Sequence, residues 1–234
     1  MTSKDFGDLE AAGFSGTAPL FPLPNAVLFP QIVQPLQIFE DRYRAMTADA
    51  LEGDRLLAMA LLKTGWEATV EENDSPIHPV VCLGRITLDQ KLEDGRYVLL
   101  VRGIARARVI SEDTTSRPYR VGQLELLEDR YPQDPVIDRK SRRDELLELF
   151  YELYPGDASH QTVQPFLERE LGLGALCDLL AYVSHLPAER AASVLAELNV
   201  DARSDLVLDE MRSRLRTQQA RQRSETFPPD FSVN

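Results

Sequence analysis

The sequence predicts an α+β fold in which a β-rich N-terminal part precedes an all-helical C-terminal part. Three observations lead to this prediction. The apolar segment 20–39 is interrupted by prolines, which a helix interior does not tolerate. Segment 79–112 contains two long β-type runs on either side of Asp94–Gly95, a strong hairpin signal. After about Tyr131, the apolar period changes from two residues to about 3.6 residues.

The segment 20–39 is apolar enough to suggest a membrane span, but its prolines exclude one. Each proline removes a helix hydrogen-bond donor and costs about 3 kcal/mol in a helix interior. We therefore predict extended structure: strands at about 20–23, 26–29 and 33–39, with turns at Pro24–Asn25 and Pro30–Gln31. The last of these strands carries apolar groups on both faces, which is typical of a strand inside a barrel.

Four further predictions complete the β-rich part. The carboxylates of Glu40 and Asp41 can cap a helix, and apolar residues then recur at helical spacing. We predict a helix from this point to Gly53, a buried strand at Arg55–Lys63, two long strands within Pro79–Glu112 and a strand at Tyr119–Asp129.

Apolar stripes with a helical period fill the C-terminal part. They predict helices around 146–154, 173–180, 191–198 and 200–215, with a short additional helix at 162–171. The composition of the chain then divides it into a flexible leader at 1–17, a β-rich domain at 18–130, a helical domain at 131–218 and a disordered tail at 219–234.

Charge and cysteine content restrict the possible partners and location. The formal charge of −12 over 234 residues argues against nucleic acid, because phosphate binding requires clustered Lys and Arg. Cys82 and Cys177 each lie in an apolar run, which predicts two buried, reduced thiols. The N-terminus lacks the basic start and apolar region of a secretory signal. We therefore expect a cytoplasmic protein without a membrane anchor.

No constellation of catalytic, metal-binding or cofactor-binding residues stands out. A Gly-Lys-Ser/Thr phosphate loop is absent from the sequence. The histidines His78, His160 and His185 form no H-E-x-x-H pattern, and Pro79 keeps His78 and Cys82 from sharing a helical face. We accordingly predict that the chain is not an enzyme and holds neither metal nor cofactor.

Four arginines of one strand region raise the possibility of an anion groove. In a strongly acidic protein, such a stripe is more often the exposed side of a barrel strand, paired with acidic neighbours. We expect that arrangement for Arg96, Arg102, Arg106 and Arg108.

The opening stretch PLFPLPNAVLFPQIVQPLQIFEDRYRAM, residues 19–46, strongly resembles the start of the N-terminal substrate-binding domain of the Lon protease family. Two further blocks, Val81–Ile86 and Asp94–Val109, resemble strands of that domain, and the likeness extends over about residues 18–217. The matching residues of the opening stretch are Pro22, Leu23, Pro24, Val27, Leu28, Phe29, Pro30, Pro35, Leu36, Ile38, Phe39, Glu40, Arg42 and Tyr43.

The resemblance implies a PUA-like β-barrel followed by a helical bundle, and a role in recognising polypeptides. Full Lon proteases continue into an ATPase module with a Walker lysine and a protease module with a Ser–Lys dyad, and this sequence carries neither motif. We therefore predict a non-catalytic module that binds a polypeptide substrate or a protein partner, with a link to protein quality control as a further hypothesis. Capture would use an apolar groove or edge-strand addition.

Three large aromatics in predicted loops or at strand ends are the candidate polypeptide contacts: Trp66, Tyr119 and Tyr131. A small-ligand or RNA-binding function is the alternative, because PUA-like barrels also serve those roles. A hydrolase would need a nucleophile and a base that the sequence does not reveal. In full Lon proteases the ATPase ring supports assembly, so we expect this chain to be a monomer or weak dimer.

Overall fold

A computed structural model of the chain describes residues 14–65, 75–114, 116–156 and 171–225. Within these ranges lie one mixed sheet of six strands and five helices, which confirms the predicted α+β class. The strands are β1 (Thr17–Leu23), β2 (Val33–Ile38), β3 (Leu56–Leu61), β4 (Val80–Lys91), β5 (Tyr97–Asp113) and β6 (Val121–Leu127). The helices are α1 (Asp41–Glu52), α2 (Arg139–Leu153), α3 (Leu173–Val183), α4 (Ala188–Ala196) and α5 (Val200–Glu225).

The strand pairings form a closed circuit. The order β2–β5–β4–β3–β1–β6 returns to β5, because β6 pairs with both β1 and β5. The long strand β5 makes this possible, since β2 pairs with its first half and β6 with its second half along the same edge. Among the described residues, β2 has no strand on its other side, so it is an edge of the sheet.

The strand predicted at 26–29 is wrong, because this segment forms a loop between β1 and β2. Leu28 and Phe29 are nevertheless buried, at 0% and 1% exposure. The loop lies against β5: the amide of Gln31 donates to the carbonyl of Gly103 at 2.9 Å, and the amide of Gly103 donates to Ile32 at 2.8 Å. The apolar run therefore reflects burial and not strand pairing.

The expected position of the next strand inside a barrel is also wrong. Of the residues in β2, only Ile38 is fully buried, and Val33, Pro35 and Gln37 are exposed. The reason is that β2 pairs with β5 outside the closed circuit, so one of its faces packs on the core and the other meets solvent. Proline is compatible with this position because an edge strand has no ladder bond to lose on its free side.

The apolar core consists of two clusters. The smaller one comes from one face of the circuit strands, with members such as Leu20, Ala58, Leu83, Ala105 and Leu124. The larger one joins the other face of those strands to the helices, with members such as Phe21, Met59, Cys82, Met46, Phe150, Leu176, Val194 and Val207. One continuous core therefore crosses the predicted domain border near residue 130. Helix α5 extends past residue 218, the predicted end of the helical domain. The division into domains stays a prediction.

Candidate functional site

One face of β2, β5 and β4 is open to solvent and is the main candidate for a functional surface. Cross-strand pairing arranges it in three rows, each with one residue from each strand. We call these residues the open sheet face. Its rows are Val33–Arg102–Arg85, Pro35–Leu100–Leu88 and Gln37–Val98–Gln90.

Strand alternation and a bulge in β4 produce this face. On β5, Leu99 and Val101 point to the core and are fully buried, so Leu100 and Arg102 point the other way. Thr87 is an extra residue in β4 between the pairs Ile86–Val101 and Leu88–Leu100. Such a bulge re-aims the following side chains, and it places Leu88 beside Leu100 on the open side.

The open sheet face and the residue after β2 carry large apolar side chains that are exposed to solvent. Val33 is 45% exposed and Leu88 is 50% exposed. Phe39, directly after β2, is 65% exposed. Single exposed apolar side chains are common, but a group of them on one surface marks an interaction site.

The free edge of β2 adds backbone groups to this surface. The amide of Gly103 bonds to the carbonyl of Ile32, so alternation directs the backbone of Gln34 and Leu36 toward β5. The backbone of Val33, Pro35 and Gln37 then faces the free edge. Pro35 has no amide proton, so this edge offers more acceptors than donors. An extended polypeptide could pair there at Val33 and Gln37.

A groove of about 360 Å³ is another candidate site. It lies between the loop after β1 and the turn that joins α3 to α4. Among its lining residues, Gln34 has a buried side-chain oxygen without a hydrogen-bond partner in the described structure. The other residues that give it polar or aromatic character are Asn25, Phe29, Tyr182 and His185.

A buried ion-pair network joins the sheet to the helices. Arg106 of β5 is 2% exposed and bonds to Asp178 of α3 at 2.5 Å. Arg203 of α5 is 0% exposed and binds both oxygens of Asp129, at 2.6 and 3.1 Å. Arg106 also lies 3.4 Å from Asp129. The expected exposure of Arg106 is therefore wrong, because the helices cover this part of β5.

The charges of this network balance within the protein. Burial alone would raise the pKa of Asp129, but a hydrogen bond from Arg203 and the charges of both arginines hold it below its usual value. For Asp178, burial outweighs the two arginines and raises the pKa. The guanidiniums also donate to backbone carbonyls, Arg106 to Leu195 and Arg203 to Glu197. The described partners of the two arginines lie inside the protein, so the network is interpreted as a structural element.

Two of the three predicted contact residues are described, and neither belongs to the open sheet face. Tyr119 is 1% exposed, and its hydroxyl donates to Asp49 at 2.5 Å and accepts from Arg117 at 2.6 Å. Tyr131 is 44% exposed and packs under the guanidinium of Arg139. Trp66 lies outside the described residues. A binding role for these aromatics stays a prediction.

The predicted thiols and histidines are also located. Cys82 and Cys177 are buried and free, as expected, and burial raises the pKa of both thiols. His78 lies 3.1 Å from Glu189, while His160 falls outside the described residues. In the part of the chain that the structure describes, no three His, Cys, Asp or Glu side chains are grouped closely enough to hold a metal ion. Nor does any helix described there have the length and apolar character of a membrane span.

Sequence reasoning missed the open sheet face. It assigned Leu88 and Leu100 to long strands without deciding which face each strand would expose. The available signal was Pro35, because a proline inside a strand indicates a sheet edge. The residues that lie beside that edge could not be identified from the sequence, since they are about 50 to 70 positions away in the chain.

Residues 17–213 match the family described as the ATP-dependent protease La (LON) substrate-binding domain. The chain belongs to this family. The resemblance carried by residues 19–46 is thereby confirmed. The match concerns the substrate-binding part of Lon, and neither its ATPase part nor its protease part.

Curated Lon proteases are similar to this chain over most of its length. Lon protease of Anaeromyxobacter dehalogenans is 30% identical over 200 residues, which cover 82% of this chain and 22% of that protein. Lon protease 2 of Myxococcus xanthus is 29% identical over 200 residues, which cover 82% of this chain and 23% of that protein. The chain thus spans less than a quarter of the length of these relatives.

Solved Lon N-terminal domains have the same fold. The N-terminal domain of Mycobacterium avium complex Lon protease gives a TM-score of 0.62 at 17% identity and covers 84% of this chain and 98% of that one. The Lon N-terminal domain protein from Xanthomonas campestris gives 0.56 at 22% identity, covering 82% and 97%. At these identities the likeness establishes the fold.

Proposed function

We propose that this Lon substrate-binding domain is a non-catalytic module that binds extended, apolar segments of polypeptides on the open sheet face. The observation that carries the proposal is the apolar row Pro35–Leu100–Leu88, in which Pro35 and Leu88 are exposed and which lies beside the free edge of β2. Membership of the family supports a substrate-binding role. A link to protein quality control would follow if the bound segments come from unfolded proteins.

The physical basis is burial of apolar surface together with strand pairing. Covering a side chain such as Leu88 contributes about 1.5–3 kcal/mol. Backbone hydrogen bonds at the edge of β2 would add affinity that does not depend on the ligand's sequence. A surface of this kind binds many apolar segments weakly, which suits a substrate-binding domain.

Fluorescence anisotropy with a labelled, unfolded apolar peptide tests this proposal. Leu88→Asp places a charge in the apolar row and should weaken binding by about tenfold or more. Val136→Asp is the matched control, because Val136 is 99% exposed and lies outside the open sheet face. Equal affinities of the two variants would contradict the proposed surface, and a wild-type protein that binds no such peptide would contradict the function.

A small-ligand function is the second candidate, and the groove of about 360 Å³ favours it. This volume falls within the range of about 300–1,000 Å³ typical of ligand pockets. The unpaired oxygen of Gln34 would accept a hydrogen bond from the ligand. Ligand-observed NMR with a fragment set, repeated on Gln34→Leu, tests the idea: fragments that bind both proteins equally would contradict it.

We further propose that the chain is a cytoplasmic monomer or weak dimer that does not bind nucleic acid. The formal charge of −12 and the buried thiols support this proposal. Each part has its own measurement. Light scattering across a concentration series measures the oligomeric state, cell fractionation measures the location, and a binding assay with an RNA oligonucleotide measures nucleic-acid binding.

A further inference from the structure

Two arginines of the open sheet face differ from the other arginines of their strands. Arg85 of β4 and Arg102 of β5 lie directly opposite each other. Arg102 donates to the side-chain oxygen of Gln31, which is uncharged. The Nε and Nη2 atoms of Arg85 are buried and have no hydrogen-bond partner within the described structure. Across the described residues, neither arginine forms a salt bridge with a carboxylate.

The remaining arginines of β5 and its hairpin are paired. Arg96 bonds to Asp94 at 2.7 Å, and Arg108 bonds to Glu125 at 3.1 Å. Arg106 bonds to Asp178 inside the buried network. In a protein with a charge of −12, two arginines that lie opposite each other on neighbouring strands and form no salt bridge with a described residue are a local exception.

This arrangement is unfavourable without a further partner. Like charges directly opposite each other on neighbouring strands repel. A buried guanidinium nitrogen that makes no hydrogen bond also loses its hydration without compensation. A bound anion would offset the repulsion, and a rotation of the Arg85 side chain would bring its buried nitrogens to that anion. A carboxylate suits the position, because the planar guanidinium presents paired donors that match its two oxygens.

The position of the pair along the sheet selects the kind of carboxylate. On one side the arginine row borders the apolar row of Leu100 and Leu88. On the other side the next row is Leu83–Ala105, which is fully buried inside the strand circuit. The open sheet face thus ends at the arginine row, and we expect a polypeptide that lies along this face to end there as well.

We propose that Arg85 and Arg102 bind the free C-terminal carboxylate of a polypeptide whose apolar side chains occupy the open sheet face. This inference rests on the proposed function. It adds the chain direction of the bound segment and identifies the C-terminus as the end that is recognised. The apolar row supplies affinity for the last side chains, and the arginine pair distinguishes a chain end from an internal segment.

Three peptides of the same apolar sequence test the proposal by fluorescence anisotropy. One ends in a free carboxylate, one ends in an amide, and one ends in an amide but contains an internal Asp. The free carboxylate should bind about tenfold more tightly than the other two, because charge-assisted hydrogen bonds are made to that group alone. Arg85→Gln and Arg102→Gln should abolish this preference, so that each variant binds the carboxylate peptide no more tightly than the amide peptide.

Arg96→Gln is the matched control, because Arg96 already bonds to Asp94 and lies outside the arginine row. It should keep the tenfold preference. Arg102 is exposed, so Arg102→Gln provides the test even if Arg85→Gln does not fold. Equal wild-type affinity for the carboxylate and amide peptides would overturn the proposal and leave polypeptide binding intact. Equal affinity for the internal-Asp peptide would overturn the selection of a chain end, and no binding of any peptide would overturn the proposed function as well.

Discussion

At the scale of single residues, Gly103 determines where the edge strand lies. A Cβ atom at this position would be 2.1 Å from the carbonyl oxygen of Phe29 and 3.1 Å from the sulfur of Cys82. The close approach lets the loop before β2 pack on β5, with backbone hydrogen bonds on both sides of the contact. The open sheet face therefore depends on a glycine that lies outside it.

Gly103→Ala should destabilise the fold strongly, because the clash is with backbone atoms that cannot move alone. We expect a loss of at least ~2 kcal/mol in the free energy of unfolding, measured by urea denaturation. Gly172→Ala is the control, because its Cβ would meet only the end of the Tyr131 side chain at 3.2 Å. A cost for Gly103→Ala no larger than that of Gly172→Ala would show that the loop is not held as described.

The two cysteines give a second prediction at this scale. Burial raises the pKa of Cys82 and Cys177, so both remain protonated thiols at neutral and mildly alkaline pH. We expect the native protein to react slowly with a thiol reagent such as DTNB at pH 8, and both thiols to react quickly in urea. Rapid labelling of the native protein would mean that one of them is accessible.

At the scale of elements, the ion-pair network fixes the helices on the sheet. Arg106 of β5, Asp178 of α3, Arg203 of α5 and Asp129 after β6 meet in one buried cluster. A buried pair of this kind contributes little net stability compared with apolar residues, but it leaves an unpaired charge when one partner is removed. It thus favours a single arrangement of β5, α3 and α5.

Arg106→Met should therefore cost roughly 3–5 kcal/mol in unfolding free energy, because Asp178 would remain buried without its closest cation. Arg108→Met is a control on the same strand. The pair of Arg108 with Glu125 is about half exposed, so its loss should cost less than about 1 kcal/mol. Chemical denaturation of the two variants measures the difference, and similar costs would contradict a structural role for the buried network.

At the scale of the whole molecule, the larger core cluster joins the sheet to the helices. Strand residues such as Met59 and Cys82 share this cluster with Phe150, Leu176 and Val207 of the helical part. Separating the parts would expose apolar surface on both. The chain should therefore behave as one cooperative unit despite the change of pattern near residue 131.

We expect two urea unfolding curves to coincide. One is measured by far-UV circular dichroism, which reports the helices, and the other by near-UV circular dichroism. Arg106→Met should shift both curves together, because the network belongs to both parts. Two separate transitions would instead support independent domains with a border near residue 130.

The sequence by itself determined the class of each long element, the hairpin between β4 and β5, the helices of the C-terminal part and the family. These features depend on local periodicity and on residues that are close together in the chain, such as Asp94–Gly95 and residues 19–46. The tertiary structure decided that 26–29 is a buried loop, that Arg106 is internal and that Arg85 lies beside Arg102. Burial and pairing of this kind depend on which distant strands become neighbours. The pattern of a single strand indicates that one face is apolar, but it does not indicate which element will cover that face.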